Sequence, residues 1–257
     1  MKIKQVLCAL EQFAPLPLQE SWDNAGLQVG LTEAEVSGAL LCLDVSERIV
    51  DEAVAKGCNL IVSHHPLLFR GLKQISGAND VQRAVIKAIK HDIVVVSMHT
   101  NMDNARNGVN WKIAERLGLT DIQPMSAEQE KMTGAMGMLP TLMPADDFVL
   151  LVKKQFDVEC AQCNELLRRP IQRVAICGGA GDFLLDDAVR QGADAFITGE
   201  MHYHQYFGYE QRIQICVIGH YQSEQFTSEI FRDIIQRECP EVVTYMAETN
   251  TNPIIYL

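Results

Sequence analysis

Apolar positions along the chain change period in a regular order. Residues 2–13 alternate apolar side chains with Gln5, Glu11 and Gln12 at helical spacing, and Pro15 and Pro17 stop that helix. Residues 20–30, ESWDNAGLQVG, have no period and predict a shaped loop. The apolar, branched run 36–43 predicts a strand; Asp44 and Ser46 open a helix over 47–56 that Gly57 ends, and 59–63 is the next strand. A helix over 80–90, a strand over 93–98 and a helix over 107–117 ending at Gly118 follow, and a first lobe closes near Pro124. Residues 126–145 carry Met132, Met136, Met138 and Met143 among Gly and Pro, a stretch suited to adaptable packing around a strand that returns into a second lobe. Beyond it the pattern predicts a helix over 146–155, a strand over 156–160, strands over 172–177, 194–198 and 213–218, and a helix over 182–190. A loop over 199–211, one long helix from His220 or Ser223 to Cys239, and a final strand over 242–247 complete it.

Part of this order occurs twice. Cys42, Gly57 and His65 correspond to Cys177, Gly192 and Glu200 at a constant offset of 135 residues, and Asp51-Glu52-Ala53-Val54 to Asp186-Asp187-Ala188-Val189. A second echo follows each unit: VVVSMHTNMD ends in His99-x3-Asp103 and ICVIGHYQSE in His220-x3-Glu224. Strand, helix and strand with short joints predict an α/β fold of mainly parallel or mixed sheets flanked by helices. The repeat divides it into two interwoven lobes, 1–124 and 125–257, that exchange terminal elements.

Composition narrows the function classes. With 257 residues, 47% hydrophobic and 21% charged, the chain is long and apolar enough for a folded core. A formal net charge of -11 with no gathered Lys and Arg argues against a nucleic-acid partner. No apolar run reaches transmembrane length and the N-terminal helix lacks a signal peptide's unbroken apolar stretch, so the expected compartment is the cytosol. Most of the eight cysteines sit singly in apolar segments, as free buried thiols do. Cys160-x2-Cys163 has metal-like spacing without a second pair.

The candidate chemistry lies at strand ends. Five of the seven histidines fall just beyond predicted strands or in the loop at the sheet's carboxyl edge, where ligands bind open α/β sheets. His64 and His65 follow a strand and precede Pro66; adjacent extended residues point to opposite sides, so both serve one centre only if the backbone turns, or each serves a different ion. His220 and Glu224 share one face of a helix one turn apart, and His99 and Asp103 repeat the interval in a loop-like setting. This mixed N/O donor set has too much imidazole for calcium and lacks the thiolates of a structural zinc site. It suits Zn, Fe, Mn, Co or Ni, with a carboxylate bridge permitting two ions. Glu200 is a general base, an acceptor that fixes an imidazole tautomer, or a solvated loop acid; Asp23 is a turn or cap residue, or a partner for a substrate or a ligand imidazole. GGAGD at 178–182 offers a weak phosphate signal, or glycines that let site loops approach closely.

SHHP at 63–66, HTNMD at 99–103, TGE at 198–200, GHYQSE at 219–224 and the N-terminal WDNAGLQVG together resemble the GTP cyclohydrolase I type 2 homologue family over nearly the whole chain, in its short form without an inserted middle domain. The resemblance implies two α/β lobes with a dinuclear metal centre and a homohexamer built as a trimer of dimers. It implies two divalent ions per subunit held by His64, His65, Asp103, His220 and Glu224, with Asp103 bridging, and His99 and Glu200 as proton-transfer groups. The expected activity is metal-dependent hydrolysis of a small polar substrate, a nucleotide or phosphoester. GTP ring opening and a non-enzymatic metal-binding or interaction role are the alternatives.

Overall fold

The computed structural model describes residues 1–128 and 131–255; residues 129–130 of the methionine-rich segment lie outside it. The described residues form two compact units, 1–105 with 227–253 and 106–226 with 254–255.

The first unit begins with α1 (Ile3–Phe13), which buries Ile3, Val6, Ala9 and Leu10 at helical spacing. The short strand β1 (Gly26–Val29) follows the shaped loop. Next come β2 (Ala39–Cys42), α2 (Glu47–Ala55), β3 (Leu60–Ser63), α3 (Asp80–Lys90), β4 (Val94–Ser97) and one helical turn, α4 (Thr100–Asp103). Ser46 Oγ accepts the Ile49 N–H to start α2, and Gly57 at φ +68 ends it. Asn79 caps α3, with Asp80 in its first turn and Lys87 and Lys90 in its last, each charge matched to the helix dipole. Strands β2, β3 and β4 are buried throughout, as parallel strands covered on both faces must be. Leu40, Ile61 and Val95 face Ile49, Val50 and Ala84 of the helices in one core.

Register fixes where the chemistry falls. β2, β3 and β4 run parallel with Cys42 beside Ser63 and Ser63 beside Ser97, so their carboxyl ends are level. His64 and His65 leave one end and His99 the next, two residues past Ser97. The His99–Asp103 stretch, expected as a loop, is a helical turn because the Asp103 N–H reaches the His99 carbonyl at 3.1 Å.

The second unit holds α5 (Val109–Arg116), β5 (Thr120–Gln123), β6 (Ser126–Glu128), β7 (Lys131–Thr133), β8 (Ala135–Met143), α6 (Ala145–Phe156), β9 (Gln162–Cys163), β10 (Ile171–Cys177), α7 (Leu185–Arg190), β11 (Ala195–Thr198), β12 (Gln214–Val217) and α8 (His220–Glu224). The sequence put the lobe seam near residue 124; in the structure the chain leaves the first unit after Ala105, because α5 packs on β8 and β10. The sheet order is β5-β8-β10-β11-β12-β9, with β10, β11 and β12 parallel and Cys177, Thr198 and Val217 in line. The strand expected over 156–160 is absent: Asp157 turns left-handed at φ +52, and the Val158 N–H bonds the Lys153 carbonyl at 2.9 Å, so the backbone closes α6 instead.

The chain then completes the first unit with α9 (Thr227–Glu238), which packs on α1 and on β2 and β3, and β13 (Thr244–Met246), parallel to β2. The helix expected to run unbroken from His220 to Cys239 is therefore two helices. Phe226 is the break: its ring packs 6.0 Å from Phe156, with the Arg116 guanidinium over it at 3.3 Å, and this anchoring ends α8.

The repeat extends to hydrogen bonds. The Cys58 N–H bonds the Ala53 carbonyl at 2.8 Å and the Ala193 N–H the Ala188 carbonyl at 3.0 Å, both at the 135-residue offset. Asn59 Oδ1 accepts the Ser37 N–H at 2.8 Å, and Asp194 Oδ2 accepts the Gln172 N–H at 3.0 Å, again at that offset.

Candidate metal-ligating sites

In the first unit the chain turns where the paired histidines require it. The N–H groups of His64 and His65 both donate to the Leu43 carbonyl, at 3.1 and 2.9 Å. Ser63 Oγ donates to the His65 carbonyl at 2.9 Å and lies 2.8 Å from Ser97 Oγ. The two rings consequently sit 4.9 Å apart rather than on opposite faces. One ring nitrogen from each of His64, His65 and His99 falls within 4.8 Å of the others. Asp103, one turn beyond His99, places a carboxylate oxygen 3.6 Å from Nε2 of the buried His64.

Each of these imidazoles is oriented through Nδ1. His64 Nδ1 donates to the Met98 carbonyl at 2.9 Å, His65 Nδ1 to Asp44 at 2.7 Å and His99 Nδ1 to Asp23 at 2.7 Å. Carbonyl and carboxylate oxygens only accept, so the proton resides on Nδ1 and Nε2 carries the lone pair. Burial pushes the Asp44 carboxyl up, but the bonds from His65 and from the Thr251 hydroxyl, at 2.8 Å, outweigh it and hold Asp44 below the usual aspartate value. Asp23 follows the same balance: burial raises it, yet His99, the Thr100 hydroxyl and the Asn24 N–H bring it down to about 2. Asp23 also accepts the Thr100 N–H at 3.0 Å, so its two readings, helix cap and imidazole partner, are one arrangement.

The second unit repeats this device. His220 Nδ1 donates to Glu200 at 2.8 Å, while His220 Nε2 and a Glu224 oxygen are 3.1 Å apart. Glu224 is only 4% exposed. Gly219 at φ +95 lets the chain enter α8, and Ser223 Oγ, donating to the His220 carbonyl at 2.7 Å, accepts the Gly179 N–H at 2.9 Å. Gly179 is held at φ +59, and a Cβ there would collide with the Glu224 carboxylate and lie 3.3 Å from His220 Nε2. The glycines of GGAGD therefore serve close approach. Their N–H groups are not a phosphate cradle: Gly178, Gly179 and Gly181 donate to Asn110, Ser223 and Thr198 side chains. A cleft of about 430 Å³ opens beside His220 and Glu200, lined also by Asp182, Met201, His202 and Val217.

The donor chemistry fits divalent transition ions. Four imidazoles present Nε2 with Nδ1 fixed by an acceptor, the arrangement that orients metal-ligating histidines and raises their basicity. Two carboxylates, Asp103 and Glu224, stand beside Nε2 atoms. Asp44 was not among the residues the sequence singled out for chemistry. An acid directly after a strand and before a helix is taken for a capping residue, and its position at the level carboxyl edge of β2 was the available signal. Among the described residues Cys163 joins no such group: its sulfur lies 4.0 Å from Cys216 on the paired strand, and Cys160 is exposed.

The family model described as Duf34/NIF3 (NGG1p interacting factor 3) matches residues 1–253. A Clostridium perfringens protein named GTP cyclohydrolase 1 type 2 homolog is 35% identical over 230 residues, 87% of each chain. A Campylobacter jejuni protein of the same name is 29% identical over the full length of both chains. Among solved structures, a Staphylococcus aureus hypothetical protein superposes with a TM-score of 0.93 at 28% identity, covering 100% of this chain and 99% of that one. A Bacillus cereus protein related to NIF3 shares the fold with a TM-score of 0.91 at 22% identity, over 100% of this chain and 99% of that one.

Proposed function

The chain belongs to the Duf34/NIF3 family, and on that premise we propose that it is a dinuclear metal-dependent hydrolase of a small polar substrate, a phosphoester or nucleotide. Its ligands are His64, His65, Asp103, His220 and Glu224, with two divalent ions drawn from Zn, Fe, Mn, Co and Ni. The observation that carries the reading is the repeated fixing of Nδ1, by Met98, Asp44, Asp23 and Glu200, which leaves each Nε2 as the basic atom. When bound, the ions supply Lewis acidity, polarising the scissile group and lowering the pKa of water.

The side chains supply the rest. Asp103 and Glu224 bring the negative charge that neutral imidazoles lack. His99 is the proton acceptor: Asp23 holds its Nδ1–H and stabilises the imidazolium formed when Nε2 takes a proton. Glu200 orients His220 through the same kind of bond and is a second proton carrier. Asp182 and Glu200 give the neighbouring cleft an acidic wall, and its volume suits a small substrate.

The test strips the protein with chelator, reloads it with one ion at a time and measures phosphate release from a panel of phosphoesters and nucleotides. Activity should vanish on chelation, return with a transition ion, and be lost in His64→Ala and Glu224→Ala proteins of unchanged circular dichroism. Absence of turnover across the panel by fully loaded protein overturns the hydrolase reading. Formate release from GTP, measured in the same samples, would replace it by GTP cyclohydrolase-type ring opening, the alternative reading; the relatives are named GTP cyclohydrolase 1 type 2 homolog.

A further inference from the structure

Two large aromatic side chains are left in water beside the histidine cluster of the first unit. Trp22 is 60% exposed and Phe69 49% exposed. Their ring centroids are 5.9 Å apart with planes inclined at 57°, and each ring also meets His99, at 6.1 Å from Trp22 and 6.3 Å from Phe69. The three rings form a triangle whose apex is the imidazole that Asp23 orients. Water-exposed indole and phenyl faces that are held in place, rather than scattered, mark recognition surfaces.

The holding is explicit. Asn24 Nδ2 donates to the Leu68 carbonyl at 2.7 Å, the Leu68 N–H to Gln28 Oε1 at 3.2 Å, and Gln28 Nε2 to the Asn24 carbonyl at 2.6 Å. These bonds stitch the loop bearing Trp22 to the loop bearing Phe69. Asp23, the next residue after Trp22, is itself bonded to His99 and Thr100, which fixes the base of the indole relative to the imidazole. An aromatic pair ordered before ligand arrives gives up little further entropy on binding.

We propose that Trp22 and Phe69 form a ring-stacking subsite that accepts a flat heteroaromatic ring, of nucleobase size, and delivers the group attached to it to His99. The inference rests on the hydrolase reading for its purpose, since stacking selects among phosphoesters those that carry a base. Stacking by aromatic side chains is tolerant of base identity and changes affinity by about tenfold or more per ring.

The experiment reads binding alone, so it is separable from turnover. Calorimetry on the metal-loaded protein compares AMP, GMP and CMP with ribose 5-phosphate and inorganic phosphate, for wild type, Trp22→Ala, Phe69→Ala and Trp22→Phe. The expected result is tighter binding of at least one nucleotide than of ribose 5-phosphate by wild type. Trp22→Ala and Phe69→Ala should each reduce that preference about tenfold, leaving ribose 5-phosphate affinity and metal content unchanged, while Trp22→Phe keeps most of it. Equal binding of all three nucleotides and ribose 5-phosphate by wild type overturns the subsite, as does an equal loss for every ligand in the alanine variants. So does a change of sedimentation coefficient in Trp22→Ala, which would assign the rings to a second copy of the chain. Failure of the hydrolase reading shows instead as absent phosphate release with the nucleotide preference intact.

Discussion

The Asp44 carboxylate accepts Nδ1–H of His65 at 2.7 Å with one oxygen and the Thr251 hydroxyl at 2.8 Å with the other. A strand end, a histidine from the neighbouring strand end and the C-terminal tail of the first unit are thereby tied through one acid. Removing an acceptor of this kind from a ligating imidazole costs about 10–100-fold in metal affinity. Asp44→Ala should lose affinity within that range while remaining folded, and Thr251→Val should lose less, because it leaves the His65 bond in place. Competition against a chromophoric chelator measures both. Unchanged affinity in Asp44→Ala would show that His65 orientation does not govern binding.

Gly179→Ala tests the other donor set. The added methyl meets the Glu224 carboxylate and requires φ +59 of a residue with a Cβ, a conformation costing about 1–2 kcal/mol. The variant should bind metal more weakly and melt several degrees lower. Gly192→Ala makes the control: it also has positive φ, at +73, but nothing lies within 4 Å of the added atom. It should lower the melting temperature by the backbone strain alone, less than Gly179→Ala does, and leave metal affinity unchanged. Metal analysis with differential scanning calorimetry separates the two effects.

Much of this arrangement is readable from residue order, for a physical reason. Parallel strands buried on both faces are unbroken apolar runs, so their ends are sharp, and His64, His65, His99 and His220 follow at or just past those ends. Features set by contacts distant in the chain were not readable. The split between α8 and α9 depends on Phe226 meeting Phe156 and Arg116, 70 and 110 residues away, while the helical period runs on through it. The one-turn helix α4 is too short to show a period. Asp157 at φ +52 ends α6 where apolar content alone suggested a strand, because left-handed turns at aspartate leave no hydrophobic signature. Asp44 was hidden by resembling a helix-opening acid.

Asp194 offers a test of the repeat as a structural unit. Its Oδ2 accepts the N–H groups of Gln172 and Arg173, at 3.0 and 2.9 Å, and its other oxygen meets the Arg169 guanidinium. In the first unit Asn59 meets the corresponding Ser37 N–H with an amide oxygen. Asp194→Asn should therefore cost about 1 kcal/mol, since an acceptor remains, and Asp194→Ala about 2 kcal/mol, since the half-buried Gln172 N–H and the exposed Arg173 N–H both lose theirs. Urea denaturation at neutral pH gives both values. Equal costs would mean that the charge toward Arg169, not the backbone bonds, carries the interaction.

The pH dependence of stability should carry the signature of Asp23. Burial works against its charge, but the bonds from His99, Thr100 and Asn24 prevail and bring its pKa from the ordinary 3.8 to about 2. A depressed folded-state pKa stabilises the protein fully above the unfolded value, and the contribution drains away as pH falls through the folded value. The shift corresponds to about 2 kcal/mol at neutral pH. In Asp23→Asn an NH2 group must face either the His99 Nδ1–H or the Thr100 N–H, so the variant also introduces a donor opposite a donor. Wild type should exceed Asp23→Asn in unfolding free energy by about 2–4 kcal/mol at pH 6, and the gap should start to close below pH 4 as the carboxyl takes its proton. Guanidinium titrations of both proteins from pH 6 to pH 3 measure the gap. A gap that stays constant over that interval would show that the Asp23 charge is not what holds His99 and the start of α4 together.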